Sequence, residues 1–201
     1  MRENPAWVVW RYEPSPSKLD KMTKVPYIAR GTVRQKASST DPATWATFRN
    51  ALEYHLDNEW TDGVGMVVCD ADDFVGIDLD HCRDAETGAI EPWAQKVVDT
   101  IQSYTEVTPS HEGLSIFARG TLPPSDRKKG DFEIYENGRY LTVTGQHLEG
   151  TPLTVESREL EIRRVHRDVW PDQGKPDSTP RPTPQPVDMA DGELIEKASD
   201  A

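Results

Sequence analysis

The 201-residue sequence has few cysteines and no long apolar segment. Its two cysteines, Cys69 and Cys82, are too few for a disulfide scaffold and lack the paired spacing of a zinc site, so we interpret them as free thiols. No run of about 18 apolar residues is present to span a bilayer, and the N-terminal residues lack the apolar core of a signal peptide. The sequence therefore predicts a cytoplasmic protein with no membrane contact.

Several common catalytic signatures are also absent. The chain contains no G-x-x-x-x-G-K-[ST] or G-x-G-x-x-G phosphate loop and no H-E-x-x-H zinc motif. Asp70 and Asp72 fit the first two ligand positions of a calcium-binding EF-hand loop, but Phe74 and Val75 stand where a ligand and an obligatory glycine belong. These absences exclude the P-loop, dinucleotide-binding, zinc protease and EF-hand classes.

Negative charge dominates the chain, with a net charge of -12, but it is unevenly distributed. Residues 1–40 contain eight Lys or Arg against three Asp or Glu, whereas residues 41–106 contain three against fifteen. Nucleic acids respond to local surface potential rather than to net charge, so the basic N-terminal segment and the cluster 127–129 are candidates for a positive track. Solvated charge on an acidic soluble protein is an equally good interpretation of the same pattern.

Hydrophobic periodicity predicts a β-rich chain with intercalated helices. Helices are expected from Asp41 as N-cap to Leu56, over residues 91–103 and over residues 156–169. Strands are expected at 7–11, 24–27, 63–68, 74–80, 113–120, 131–135 and 139–145, with 63–68 and 74–80 forming a β-hairpin. This order predicts an α+β layered domain over residues 1–169.

The composition changes at Trp170. The following residues hold six of the sixteen prolines and almost nothing apolar, which predicts a Pro-rich disordered linker over 170–190. Residues 191–201 have a helix-like start but are too short to bury anything alone. We interpret them as the short helix start of a missing downstream module.

Two carboxylates, Asp78 and Asp80, interrupt an apolar run that is otherwise typical of a buried strand. Side chains alternate along a strand, so the two aspartates share one face while Ile77 and Leu79 share the other. Such a pair repels itself and is suited to Mg²⁺ or Mn²⁺, and Glu133 on another predicted strand offers a third acid for a two-metal centre. Alone, the pair is as typical of a solvent-exposed sheet face as of a functional site.

Longer motifs carry a family resemblance. The segments GVGMVVCDADDFVGIDLDHCRDAETG, SYTEVTPSHEGLSIFARG and DFEIYENGRYLTVTG resemble, in order and spacing, the primase-polymerase domains of phages, plasmids and archaea, which belong to the archaeo-eukaryotic primase superfamily. The resemblance extends over about residues 5–167. It implies a two-layer α+β primase-polymerase fold with an RRM-like catalytic sheet, followed by the disordered Pro-rich tail.

The resemblance also implies roles for single residues. Asp78 and Asp80 match the first family motif, whose aspartates bind metal, and Glu133 matches the acid of the third motif. Three further residues match positions near the nucleotide: Arg139 and Thr144 in RYLTVTG, and Lys24 in a K-x-P motif. An arginine there suits a phosphate group.

The second motif departs from the family pattern Ser-Pro-Ser-Gly-x-Gly-x-His. Ser115 stands at the histidine position, His111 stands at the first glycine position, and Ser110 is retained. All three are candidate nucleotide-binding residues. A serine hydroxyl can hydrogen-bond a phosphate oxygen but brings no positive charge, so this departure predicts weaker nucleotide affinity or turnover.

The sequence is compatible with two main functions. The first is a DNA replication primase-polymerase that extends or synthesises primers on a single-stranded DNA template, using dNTPs or NTPs and two Mg²⁺ or Mn²⁺ ions at Asp78, Asp80 and Glu133. A replicative helicase is expected as partner, in trans or in a longer parent chain. The alternative is a catalytically weakened module that binds nucleotide or single-stranded DNA in a replication complex, because Ser115 replaces the motif histidine. A fragment of a larger replication protein is a third, remoter possibility.

Overall fold

The computed structural model describes residues 3–16, 18–124 and 126–171. These residues form nine strands and three α-helices. The strands are β1 (Trp7–Ser15), β2 (Lys18–Tyr27), β3 (Gly63–Val68), β4 (Phe74–Leu79), β5 (Tyr104–Val107), β6 (Leu114–Arg119), β7 (Lys128–Lys129), β8 (Phe132–Tyr135) and β9 (Arg139–Val143). The helices are α1 (Phe48–Leu56), α2 (Pro92–Ile101) and α3 (Glu159–Val169).

The strands form two antiparallel sheets. The four-stranded sheet has the order β2-β1-β3-β9, and the five-stranded sheet has the order β5-β6-β4-β8-β7. A mixed α and β chain with antiparallel sheets agrees with the predicted fold class. None of the helices in the described ranges is long and apolar enough to cross a membrane. The cytoplasmic location stays a prediction.

Strand alternation divides the hydrophobic core into layers. Ile77 and Leu79 of β4 belong to a cluster with the buried faces of α2 and α3. Phe74, on the opposite face of β4, belongs to a second cluster with Met66 and Leu141 of the four-stranded sheet. The five-stranded sheet therefore has two helices on one face and the other sheet against its second face.

The first predicted helix begins later than expected. Asp41 caps a short 3₁₀ turn, Pro42–Thr44, where its side chain accepts a hydrogen bond from the backbone N–H of Ala43 at 3.0 Å. Helix α1 then starts after Thr47, whose hydroxyl caps it. The predicted start of this helix at Asp41 is therefore wrong, and its last residue, Leu56, is 72% exposed.

The predicted hairpin between residues 63–68 and 74–80 is also wrong. Strand β3 lies between β1 and β9 in the four-stranded sheet, whereas β4 lies between β6 and β8 in the five-stranded sheet. Both strands are apolar on both faces because each is central in its sheet, and that pattern does not specify which neighbour pairs with which strand. The chain crosses between the layers through residues 69–73 instead of turning back on itself.

The remaining elements agree better with the sequence. Strands β6, β8 and β9 and helices α2 and α3 lie where the pattern predicts them, while β5 and β7 are not among the predicted strands. Trp170 is buried and its ring lies 5.7 Å from that of Phe132, so the packed domain includes it. The rest of the predicted linker, from residue 172, and the predicted helix start at 191–201 lie outside the described residues.

Candidate active site

Five polar residues form a single row across the five-stranded sheet. Each is the direct cross-strand partner of the next, so all five side chains project from the same face. In spatial order from β5 to β7, the row is Glu106, Ser115, Asp78, Glu133 and Lys128. The register thus places the two carboxylates that the sequence singled out, Asp78 and Glu133, directly opposite each other.

A cleft of about 700 Å³ opens beside this row. Asp78, Asp80 and Glu133 line it from the five-stranded sheet. Cationic side chains line it from the edge strands of the four-stranded sheet: Lys21 and Lys24 from β2 and Arg139 from β9. One sheet therefore supplies carboxylates and the other supplies cationic side chains. This charge pattern suits a phosphate chain bound together with a cation.

Glu133 is 4% exposed and fully engaged with donors. Its carboxylate accepts hydrogen bonds from the Tyr135 hydroxyl at 2.8 Å and the Arg139 guanidinium at 2.9 Å, and it pairs with the ammonium of Lys128. Burial opposes ionisation of Glu133, but the Lys128 and Tyr135 hydrogen bonds and the two nearby cations outweigh it and lower its pKa. Glu133 is therefore an ionised, neutralised carboxylate.

Asp78 is in a different electrostatic state. The hydroxyl of Ser115 donates to it at 3.2 Å, and the Asp80 and Glu133 charges lie nearby. Burial, reinforced by the charge of Asp80, raises the pKa of Asp78 to about 6, while the Lys24 charge and the Ser115 hydrogen bond act in the opposite direction. This half-buried carboxylate is short of positive charge, as is expected of a residue that binds a cation.

The donor set fits a divalent cation only in part. Hard carboxylate oxygens at Asp78 and Asp80 suit Mg²⁺ or Mn²⁺, and the charge of Asp80 adds to burial in raising the pKa of Asp78. Within the described residues, however, no three His, Cys, Asp or Glu side chains converge closely enough to hold an ion. The carboxylate of Glu133 is occupied by Lys128 and Arg139 instead.

None of the three second-motif residues lines the cleft. Ser115 is 2% exposed and directed at Asp78, not at the open cleft. Ser110 and His111 lie in the turn between β5 and β6, where the Ser110 hydroxyl is 3.1 Å from that of Thr108. His111 adopts a left-handed backbone, with φ of 62°, at the position where the family pattern has glycine.

Thr144 and its neighbour Gly145 bind a side chain of the protein itself. Their backbone N–H groups donate to the carboxylate of Glu106 at 2.8 and 3.1 Å, and the Tyr104 hydroxyl adds a third donor at 3.0 Å. Glu106 is fully buried, and burial raises its pKa although these hydrogen bonds lower it. The Thr144 turn therefore closes one end of the polar row.

Sequence reasoning did not single out several residues of this site. Tyr135 and Glu106 are not among the predicted site residues. Tyr135 could have been found, because it is two residues from Glu133 and strand alternation places Tyr135 and Glu133 on one face. Lys128 was noted only as part of a basic cluster, and its pairing with Glu133 depends on the β7–β8 register. Lys21 and Tyr140 reach the cleft through sheet pairing that the local pattern does not reveal.

Two antiparallel sheets enclosing a cleft, with acids on one side and bases on the other, define a candidate site for phosphate and divalent cations. A scan against known protein families finds no match. Among curated proteins, the chain is similar to the DNA primase-polymerase of Nitratiruptor phage NrS-1, with 37% identity over 162 residues. The resemblance to phage-type primase-polymerases is thereby confirmed. The match covers 78% of this chain but 21% of the phage protein, so the chain spans about a fifth of that relative's length.

Proposed function

We propose that this chain is a primase-polymerase domain that carries out template-directed nucleotidyl transfer in DNA replication. The observation that carries the proposal is the row in which Asp78 and Glu133 are direct neighbours, together with the cations that face it across the cleft. The name of the phage relative supports the same activity. We propose a single-stranded DNA template and dNTP or NTP substrates.

The cations of the cleft are suited to a triphosphate. Lys21, Lys24 and Arg139 line the cleft, and Lys128 lies beside Glu133. Four cationic side chains against three carboxylates leave a small positive excess, which a bound divalent ion increases. In this proposal, Lys24 and Arg139 bind the phosphate oxygens and orient the triphosphate group of the nucleotide.

Divalent ions are part of this proposal. Asp78 and Asp80 would hold Mg²⁺ or Mn²⁺, and Glu133 would join them as the third ligand of a two-ion centre. When bound, such ions make the attacking 3′-hydroxyl more acidic and neutralise the triphosphate. The residues of the chain contribute by holding the reactants in place. Ser115 fixes the rotamer of Asp78, and Tyr135 fixes that of Glu133.

A helicase partner completes the proposal. The phage relative is several times longer than the matched region. A primase-polymerase needs single-stranded template, which a replicative helicase supplies, in trans or within a longer parent chain. We propose that arrangement here.

A second function is favoured by one specific observation. Glu133 is neutralised by Lys128 and Arg139, so the three acids do not form a preassembled metal site. A chain that keeps this arrangement with nucleotide bound would be a module that binds nucleotide or single-stranded DNA with little catalysis. The two functions use the same cleft. They differ only in whether Glu133 exchanges Lys128 and Arg139 for a divalent ion when nucleotide binds.

The test is primer synthesis and primer extension with labelled dNTPs and NTPs, in Mg²⁺ and in Mn²⁺. We expect the wild type to incorporate nucleotide and the double variant Asp78→Asn, Asp80→Asn to lose at least about a thousandfold in rate, because both ions lose their ligands. Asp99→Asn, an exposed aspartate on α2, is the matched control and should retain activity. Template binding without incorporation in either metal would favour the binding module.

A further inference from the structure

Tyr140 connects the two edge strands of the four-stranded sheet. Its hydroxyl donates a hydrogen bond to the backbone carbonyl of Lys24 at 2.6 Å, across 116 positions of sequence. The edge strands that carry these residues, β9 and β2, are separated in the sheet by β1 and β3. This hydrogen bond therefore brings the two edge strands within reach of one side chain at the wall of the cleft.

The sheet leaves room for this span at Gly65 in β3. A Cβ atom there would lie 2.9 Å from the Cδ2 atom of the Tyr140 ring and 2.8 Å from the carbonyl oxygen of Leu141. Contacts this short do not occur at real side chains, so only glycine lets the ring lie across β3. The hydrogen bond therefore depends on residues from three separate segments of the sequence: Lys24, Gly65 and Tyr140.

A second long-range contact holds the other side of Arg139. The hydroxyl of Ser39 donates to the carbonyl of Gly138 at 2.8 Å, across 99 positions. Both sequence neighbours of Arg139 are therefore tied to the N-terminal part of the chain. The Arg139 side chain itself is left to contact Glu133.

The two tethered elements carry the cations of the cleft. The charge of Lys24 acts on Asp78, and Arg139 donates to Glu133 at 2.9 Å, so each cation faces one of the paired carboxylates. Burial raises the pKa of the Tyr140 hydroxyl far above its ordinary value, which keeps it a donor at any working pH. The distance between the Lys24 and Arg139 side chains thus depends on the hydrogen bond from Tyr140 to the Lys24 backbone, in which neither charged group takes part.

We propose that Tyr140 is a positioning residue for the triphosphate group of a nucleoside triphosphate. Its hydroxyl holds β2 in place, so that Lys24 and Arg139 bind the phosphate groups from opposite edges of the sheet. The inference rests on the proposed function for the identity of the ligand. It adds a residue that touches neither metal nor nucleotide. Tyr140 acts through Lys24.

The test is a double-mutant cycle on ligand affinity. Binding of dATP and of inorganic triphosphate, each with Mg²⁺, is measured by calorimetry for the wild type, Tyr140→Phe, Lys24→Ala and the double variant. We expect Tyr140→Phe to weaken both ligands about three- to tenfold, the effect of one hydrogen bond. In the Lys24→Ala background, Tyr140→Phe should have no further effect. Tyr54→Phe, on α1 and away from the cleft, is the control.

Each alternative outcome has a definite meaning. An equal loss from Tyr140→Phe in both backgrounds would show a general structural role and overturn the inference, as would unchanged affinity. Binding of neither ligand by the wild type would overturn it too. Wild type that binds triphosphate but incorporates no nucleotide would refute the proposed enzyme function alone, because the cycle can still be completed.

Discussion

Glu106 and Asp78 stand on either side of Ser115 in the same cross-strand row, yet their surroundings are opposite. Glu106 is fully buried and accepts hydrogen bonds from the backbone of Thr144 and Gly145 and from Tyr104. Asp78 is half-buried and accepts a hydrogen bond from Ser115, while burial and the charge of Asp80 raise its pKa.

This is the difference expected between a structural carboxylate, Glu106, and the metal ligand that we propose at Asp78. A buried acid that is surrounded by donors ties elements together, as Glu106 ties β5 to the turn after β9. An acid with too few donors and like charges beside it destabilises the fold until a cation arrives.

Burial raises the pKa of both acids, but replacing each with its amide should have opposite effects on stability, because Glu106 loses hydrogen bonds that Asp78 does not have. We expect Glu106→Gln to lower the free energy of unfolding by about 2 to 3 kcal/mol, because an amide cannot accept from both backbone N–H groups. Asp78→Asn should raise it by about 1 to 3 kcal/mol in metal-free protein at pH 8. Denaturant unfolding in the presence of a chelator measures both.

The expected gain in the free energy of unfolding on Asp78→Asn follows from the raised pKa of Asp78. The pKa of about 6 in the folded state lies above the ordinary value of 3.8, so the folded state binds more protons between these values, and stability falls as the pH rises from about 4 to about 6. The gain from Asp78→Asn should therefore disappear near pH 3.5. A gain that persists there, or a loss at pH 8, would contradict the assignment of Asp78 as under-neutralised.

Divalent metal affinity should depend on pH because protons compete for Asp78. With a pKa of about 6, we expect Mn²⁺ affinity to be constant above pH 7 and to fall about tenfold per unit below pH 6. Spin-resonance titration of free Mn²⁺ measures this. The Asp78→Asn variant should bind more weakly with a flatter profile, and a wild-type profile that is flat down to pH 5 would be inconsistent with metal binding at Asp78.

Ser115 should act through Asp78 and not through the nucleotide. Ser115→Ala removes the hydroxyl at 3.2 Å from Asp78, and we expect a loss of about threefold in Mn²⁺ affinity. Ser115→His should cost more and destabilise the fold, because the site is 2% exposed and has no room for an imidazole. Higher incorporation by a stable Ser115→His variant would instead support direct nucleotide contact at this position.

The smallest effect is expected at His111. Its φ of 62° is costly for any residue with a Cβ atom, so His111→Gly should stabilise the protein by about 0.5 to 1 kcal/mol. Glu112→Gly is the matched control and should be destabilising, since Glu112 is not among the positive-φ residues. Thermal unfolding compares the two, and a destabilised His111→Gly would show that the imidazole makes a favourable contact.

Local periodicity predicted the acids of the site well. The alternation of β4 places Asp78 on the face opposite Ile77, and the same argument for β8 places Glu133 opposite Phe132 and Ile134. These inferences need only the strand and its period of two. The metal-binding role of these acids remains a prediction.

The sequence pattern failed where the answer depended on pairing between strands. It joined β3 and β4 into a hairpin, although each is central in a different sheet. It also did not reveal that the hydroxyl of Ser115 faces Asp78, which follows from the β4–β6 register; contact of Ser115 with a nucleotide stays a prediction. A run that is apolar on both faces does not identify its neighbours, so long-range register is beyond a reading of local pattern.

The pairing of Lys128 with Glu133 has a consequence for handling the protein. The ammonium group is an internal counter-ion for the most buried acid of the cleft. Extraction of divalent ions by a chelator therefore leaves no bare charge at Glu133, and the chain should remain folded without them, unlike small domains that unfold when their zinc is removed. Purification in chelator followed by readdition of one chosen ion is thus a practical way to compare Mg²⁺ with Mn²⁺.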